Sequence, residues 1–106
     1  MAMALGLIHQ EPWHPWTIAE LCSRAGLSKT LLAEKFATLI GSSPIEYLTN
    51  WRFQIAARWL RDTGMSIERV AEQCGYDSAA SFSKAFRRYF GVPPGAYRRG
   101  IGEISS

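Results

Sequence analysis

Slid over itself, the sequence matches at an offset of 49 and then, after one inserted residue, at an offset of 50. Thr17-Ile18 falls on Ser66-Ile67, Leu21 on Val70, Gly26-Leu27 on Gly75-Tyr76, and Ser28 on Asp77. Past the insertion, Leu32 meets Phe82, Phe36 meets Phe86, Gly41 meets Gly91, Pro44 meets Pro94 and Tyr47 meets Tyr97. Glycines, a proline and aromatics do not readily fall into one order twice by chance. The 106 residues are therefore two copies of one supersecondary unit.

Each copy reads as helix, tight turn, helix. In the first, Thr17-x-x-Glu20 is a capping box whose hydroxyl and carboxylate satisfy orphan backbone N–H groups. Gly26 supplies the positive φ that ends the helix, and Ser28 caps the next one. Leu32, Phe36, Leu39 and Ile40 recur at i, i+4, i+7 and i+8, which places all four on an inward face before Gly41 stops the helix. In the second copy Ser66 caps a helix with Ile67, Val70 and Ala71 inward, and Gly75 makes the turn. Asp77 or Ser78 caps the following helix, which is expected to bury Phe82, Phe86 and Phe90 and to stop at Gly91. A glycine turn between two such helices is a helix-turn-helix.

A long helix should join the copies. Ser43-Pro44-x-Glu46 combines an N-cap, proline at N1 and glutamate at N3. Leu48, Trp51, Ile55, Ala56, Trp59 and Leu60 then form one apolar stripe ending near Thr63-Gly64, with both tryptophans expected in the core. Its nineteen residues at ~1.5 Å each span roughly 28 Å. The separation of two recognition helices on successive major-groove segments is ~34 Å. Ala4 to His9 reads as a short opening helix packing Leu5 and Ile8. Pro93-Pro94 opens a closing turn of helix that brings Tyr97 inward and projects Arg98 and Arg99. No strand-like alternation of useful length appears. The expected fold is all-α, of about seven helices, with a first subdomain at 1–43, a linker helix at 44–63 and a second subdomain at 64–106.

Charge is unevenly spread. Residues 1–63 carry six basic and five acidic groups, and residues 64–106 carry six and four. Between 84 and 99 stand Lys84, Arg87, Arg88, Arg98 and Arg99 with no acid among them, a block that suits either an anionic partner or a solvated face. With 47% apolar and 20% charged residues, a packed core is expected and disorder is not. No apolar run reaches the ~20 residues that cross a bilayer. The opening Met1–Ile8 has no basic leader, so the reading is an intracellular, cytoplasmic protein without a membrane partner.

Cys22 and Cys74 lie far apart among apolar residues, with only His9 and His14 as other soft ligands, a spacing that fits no zinc pattern. Buried free thiols are expected, and no metal or cofactor. The chain has no GxSxG, Walker loop or HExxH, and neither histidine stands near an activated nucleophile, so an enzyme is not expected.

The stretch Ala71-Glu-Gln-Cys-Gly75-Tyr-Asp-Ser78-Ala-Ala-Ser-Phe82-Ser-Lys84-Ala-Phe86-Arg-Arg-Tyr-Phe-Gly91-Val-Pro-Pro94-Gly-Ala-Tyr97-Arg98 closely resembles the signature of AraC/XylS-family transcription regulators. Trp16-Thr17-Ile18, Gly26-Leu27-Ser28, Phe36, Gly41-x-x-Pro44 and Arg52-x-x-x-Ala56 agree with it, so the resemblance covers roughly residues 4–99. It implies a bacterial sequence-specific domain for double-stranded DNA, two helix-turn-helix subdomains entering consecutive major grooves. RNA polymerase is an implied partner if the protein activates. Many members add a ligand-sensing or dimerising domain, so the chain reads as either a fragment or an unusually short regulator. Two positions depart from the pattern: Glu34 where a basic residue is usual, and Pro93 where a capping hydroxyl is common.

By that correspondence Thr30, Ala33 and Glu34 occupy base-reading positions in the first recognition helix. Alanine and the threonine methyl can pack on thymine methyls, and glutamate can accept from cytosine N4. In the second helix the same face offers Ala79, Ala80, Ser83 and Lys84. Phosphate contacts are expected from Ser28, Lys29, Lys35, Ser78, Arg87, Arg88, Arg98 and Arg99, some through helix N-terminal amides. The second unit, with more positive charge, is expected to dominate binding. The competing reading is a helical protein-interaction module without DNA binding, and the clustered Lys84, Arg87 and Arg88 weigh against it.

Overall fold

The computed structural model describes residues 1–100, and the last six positions of the second expected subdomain, 101–106, lie outside them. Helices account for nearly all regular structure: α1 (Ala2–Gln10), α2 (Ile18–Ala25), α3 (Lys29–Leu39), α4 (Pro44–Asp62), α5 (Ile67–Gln73), α6 (Ala79–Phe90) and α7 (Pro94–Arg98). Among the described residues there is no strand, and no helix is long and apolar enough to cross a membrane.

The chain forms two compact units, Met1–Arg52 and one that begins at Phe53, so the boundary falls inside α4. In the first unit Ala4, Ile8, Trp16, Leu21, Leu32, Phe36 and Leu48 are buried together, with Tyr47 and Trp51 packed against them. In the second, Phe53, Ala56, Ala57, Leu60, Val70, Ala71, Phe82 and Phe86 form the core, with Trp59, Phe90 and Tyr97 partly buried around it. The single apolar stripe expected along α4 is therefore two stripes in series. Leu48 and Trp51 serve the first core, while Phe53 and Ala57, absent from the expected stripe, serve the second.

The repeat reaches further in three dimensions than in the aligned residues. At the offset of 49, buried Ala4 and Ile8 of α1 fall on buried Phe53 and Ala57 of α4. At the offset of 50, Pro44 opening α4 falls on Pro94 opening α7. Each unit thus has an opening segment, one helix-turn-helix element and a closing segment, and α4 fuses the closing segment of one copy with the opening segment of the next.

The caps follow from side-chain chemistry. Thr17, Ser28, Ser43 and Ser66 each accept from the backbone N–H three residues on, at 3.1 Å. Of the two caps open for α6, Ser78 is the one used: its Oγ accepts from Ser81 N–H at 3.1 Å, leaving Asp77 in the turn. Pro93 stands at the N-cap of α7 with no side-chain cap, as expected when proline replaces a hydroxyl. Each such hydroxyl is worth about 1 kcal/mol to its helix.

Three expectations about the core fail, the first being Phe90, expected buried with Phe82 and Phe86 but only half-buried. Leu39 and Ile40, placed inward by periodicity, are 63% and 37% exposed. They lie at the very end of α3, Ile40 as its C-cap, where the helix is leaving the core. Cys74, expected buried, is only half-buried, whereas Cys22 is buried, and both thiols are free.

Candidate nucleic-acid interface

Both helix-turn-helix elements turn on a glycine with positive φ. Gly26 (φ 70°) ends α2, where Leu27 N–H donates to Cys22 O at 3.0 Å. Gly75 (φ 82°) ends α5, where Tyr76 N–H donates to Ala71 O at 3.0 Å. The second helix of each pair is held by its aromatic side. Phe36 packs edge-on to Tyr47, with ring centroids 5.9 Å apart, and Phe82 lies 5.6 Å from both Tyr76 and Phe86. Burying Leu32 with Phe36, and Phe82 with Phe86, decides which side of α3 and α6 faces outward.

On α6 that outward side is cationic. At 3.6 residues per turn Lys84 stands opposite the Phe82–Phe86 side, with Ala80 and Arg87 on one flank and Ser81 and Arg88 on the other. Lys84, Arg87, Arg88, Ala80 and Ser81 are exposed, while Ala79 and Ser83 are half-buried. Among the described residues, Lys84, Arg87 and Arg88 have no carboxylate partner. Elsewhere the protein does pair its cations: Arg24 reaches Glu11 and Glu20 at 3.7 Å, and Arg61 reaches Asp62 at 3.3 Å.

The outward side of α3 is different. Glu34 stands where α6 has Lys84, with Thr30, Leu31, Ala37 and Thr38 around it. Thr30, Ala33, Glu34 and Lys29 are exposed, and Lys35 is half-buried. Ser28 and Ser78 are exposed, but each Oγ already caps its own helix. Ser81 and Leu31 were not anticipated at this surface. Ser81 lies in α6 just where the repeat puts Leu31 in α3, and that correspondence was the available signal.

Arg98 does not project outward. Its Nε donates to Leu60 O at 2.8 Å and its NH2 group to Met65 O, so the guanidinium ties α7 to the last turn of α4 and to the segment ahead of α5. Two of its five donors are thus committed to carbonyls and the side chain is half-buried, a structural tie the sequence reading did not anticipate; Arg99 is exposed.

Residues 21–100 match the profile of a family described as "Helix-turn-helix domain". An AraC-like protein of Streptomyces antibioticus is 42% identical over 99 residues, covering 93% of this chain and 33% of its own. The chain belongs to the AraC family. In three dimensions it is similar to an AraC-type regulator structure from Chromobacterium violaceum, with a TM-score of 0.85 at 25% identity, covering 94% of this chain and 89% of that one. It is also similar to the DNA-binding domain of AdpA, whose structure was solved in complex with a target DNA: TM-score 0.81, 28% identity, covering 97% of this chain and 93% of that one. The chain spans about a third of the length of the curated AraC-family relatives it matches first.

Proposed function

We propose that this chain is a sequence-specific double-stranded DNA-binding region of a bacterial transcription regulator, with α3 and α6 each entering a major-groove segment. The observation that carries the proposal is the outward face of α6, where Lys84, Arg87 and Arg88 are exposed with no described carboxylate to neutralise them. A duplex supplies the missing counter-charge, and neutralising phosphates releases condensed cations. The AdpA domain, similar along nearly its whole length, was captured on its target DNA, which supports the same use here.

Within this reading Thr30, Ala33, Glu34, Ala79, Ala80, Ser83 and Lys84 are offered to base edges. Lys29, Lys35, Arg87, Arg88, Arg99 and the N-terminal amides near Ser28 and Ser78 are offered to phosphates. The region would work in the cytoplasm on nucleoid DNA, would meet RNA polymerase if the regulator activates, and is assigned no catalysis. Effector binding or dimerisation would belong to other parts of such a regulator. The test is binding-site selection from randomised duplexes, followed by titration against a selected and a scrambled duplex at fixed salt. A recovered motif with two half-sites about one helical turn apart is expected. No enrichment, and no salt-dependent shift of any duplex, would leave a protein-interaction module as the better reading.

A further inference from the structure

The two recognition helices differ at every matched outward position. Leu31, Glu34, Ala37 and Thr38 of α3 correspond to Ser81, Lys84, Arg87 and Arg88 of α6. The α6 face is drawn to any phosphate backbone. The α3 face gains almost nothing from that attraction, and Glu34 near phosphates is penalised unless its carboxylate finds a donor. Leu31 is 40% exposed beside fully buried Leu32, and with Glu34, Lys35, Thr38 and Leu39 it lines a shallow concavity on the helix surface.

We infer that Leu31 and Glu34 form a reader for a cytosine with a neighbouring thymine, so that α3 adds its own base selectivity while α6 supplies most of the grip. The inference rests on the DNA-binding reading above and gives it a base preference. Among the described residues the Glu34 carboxylate has no hydrogen-bond donor or cation partner. In the major groove cytosine N4 offers it an N–H with no acceptor on the same base, whereas adenine sets its N7 lone pair beside N6 and repels an anion. Leu31 lies in the first turn, the part of a recognition helix that meets base edges, and its methyls suit only the thymine 5-methyl among groove groups. One helical turn separates the two side chains, about 5–6 Å between Cβ atoms. Against a base rise of about 3.4 Å, the two contacts fall one or two base pairs apart. Exposed Lys29 at the start of α3 and half-buried Lys35 put positive charge on the same helix as the pair, which suits a duplex better than a neutral partner.

The experiment is site selection with the wild-type chain and with Glu34→Ala, Glu34→Gln and Leu31→Ala, all at exposed positions, with helicity checked by circular dichroism. The wild type should select a cytosine with a thymine one or two base pairs away in one half-site. Glu34→Ala should lose the cytosine preference, from roughly tenfold to near none, and bind scrambled duplex more tightly. Glu34→Gln should move the preference to adenine, because an amide both accepts from N6 and donates to N7. Replacing the thymine by deoxyuridine removes only the methyl; it should weaken the wild type severalfold and leave Leu31→Ala unchanged. An unaltered motif in both Glu34 variants, with salt-dependent binding retained, overturns the pair as a reader and leaves this face for a protein partner. Absence of salt-dependent binding by the wild type would instead overturn the DNA-binding reading itself.

Discussion

Arg52 and Arg98 do the same work in their separate units. Each forks onto two backbone carbonyls in the segment that leads into a helix-turn-helix: Arg52 onto Pro12 at 2.5 Å and His14 at 2.7 Å, Arg98 onto Leu60 at 2.8 Å and onto Met65. The repeat does not align them, for the position matching Arg98 is Leu48, one turn before Arg52. The same clamp is thus reached from different places on the closing segment. Planar guanidinium makes this possible, since it offers parallel donors that stay charged.

Replacing Arg98 by alanine should therefore act on stability. Two hydrogen bonds from a charged donor are lost and two half-buried carbonyls are left, a cost of about 2–3 kcal/mol. Thermal unfolding should show it as a fall in Tm of roughly 10 °C or more. Arg98→Lys should recover little of it. Below the lowered Tm, the salt dependence of DNA binding should be unchanged; a shallower dependence would place Arg98 among the phosphate contacts.

DNA affinity should fall steeply with salt. Lys29, Lys35, Lys84, Arg87, Arg88 and Arg99 remain as phosphate contacts, and neutralising about 5–6 phosphates gives a log–log slope of about −5. Titrations across a fourfold range of salt measure it directly, and a slope near zero would remove DNA from the account.

Lys84→Ala should weaken binding to a selected duplex by about 1–3 kcal/mol, the size of one good base contact. Binding to a scrambled duplex should change less. If Lys84→Ala is silent on both duplexes while Glu34→Ala abolishes binding, the grip lies on α3 and the division of labour is reversed.

Gly26 offers a test of the turn alone. Its φ of 70° is left-handed, and a Cβ there would meet nothing within 4 Å. Gly26→Ala should cost only the backbone penalty, roughly 1–2 kcal/mol. Gly26→Asn should cost less, since asparagine tolerates that region better. Equal Tm values for the glycine and alanine proteins would contradict the turn.

Much of the fold was legible because its signals are local. A hydroxyl three residues ahead of a helical N–H is visible in sequence, and Thr17, Ser28, Ser43 and Ser66 could each be read that way. The phenylalanines at 82 and 86 likewise made the outward side of α6 readable. What stayed hidden depends on what lies opposite. Periodicity gives the direction of Leu39 and Ile40 but not whether anything covers them. The clamps of Arg52 and Arg98 fall on carbonyls, which have no sequence signature. Leu31 was passed over at the surface because a leucine in a helix reads as core, and the change of inward face between Trp51 and Phe53 has no marker within an unbroken helix.

That unbroken helix has a thermodynamic consequence. Cut between Arg52 and Phe53, α4 would leave two pieces of nine and ten residues, lengths at which an isolated helix is marginal in water. Each piece would then rely on packing against its own core, as the shorter helices of the protein do. Melting one would leave its neighbour with a fraying end that carries core residues, so the two should unfold in a single cooperative transition. Calorimetry would show the shared helix as one transition for the two units, and two separated transitions would show that each core holds its half of α4 alone.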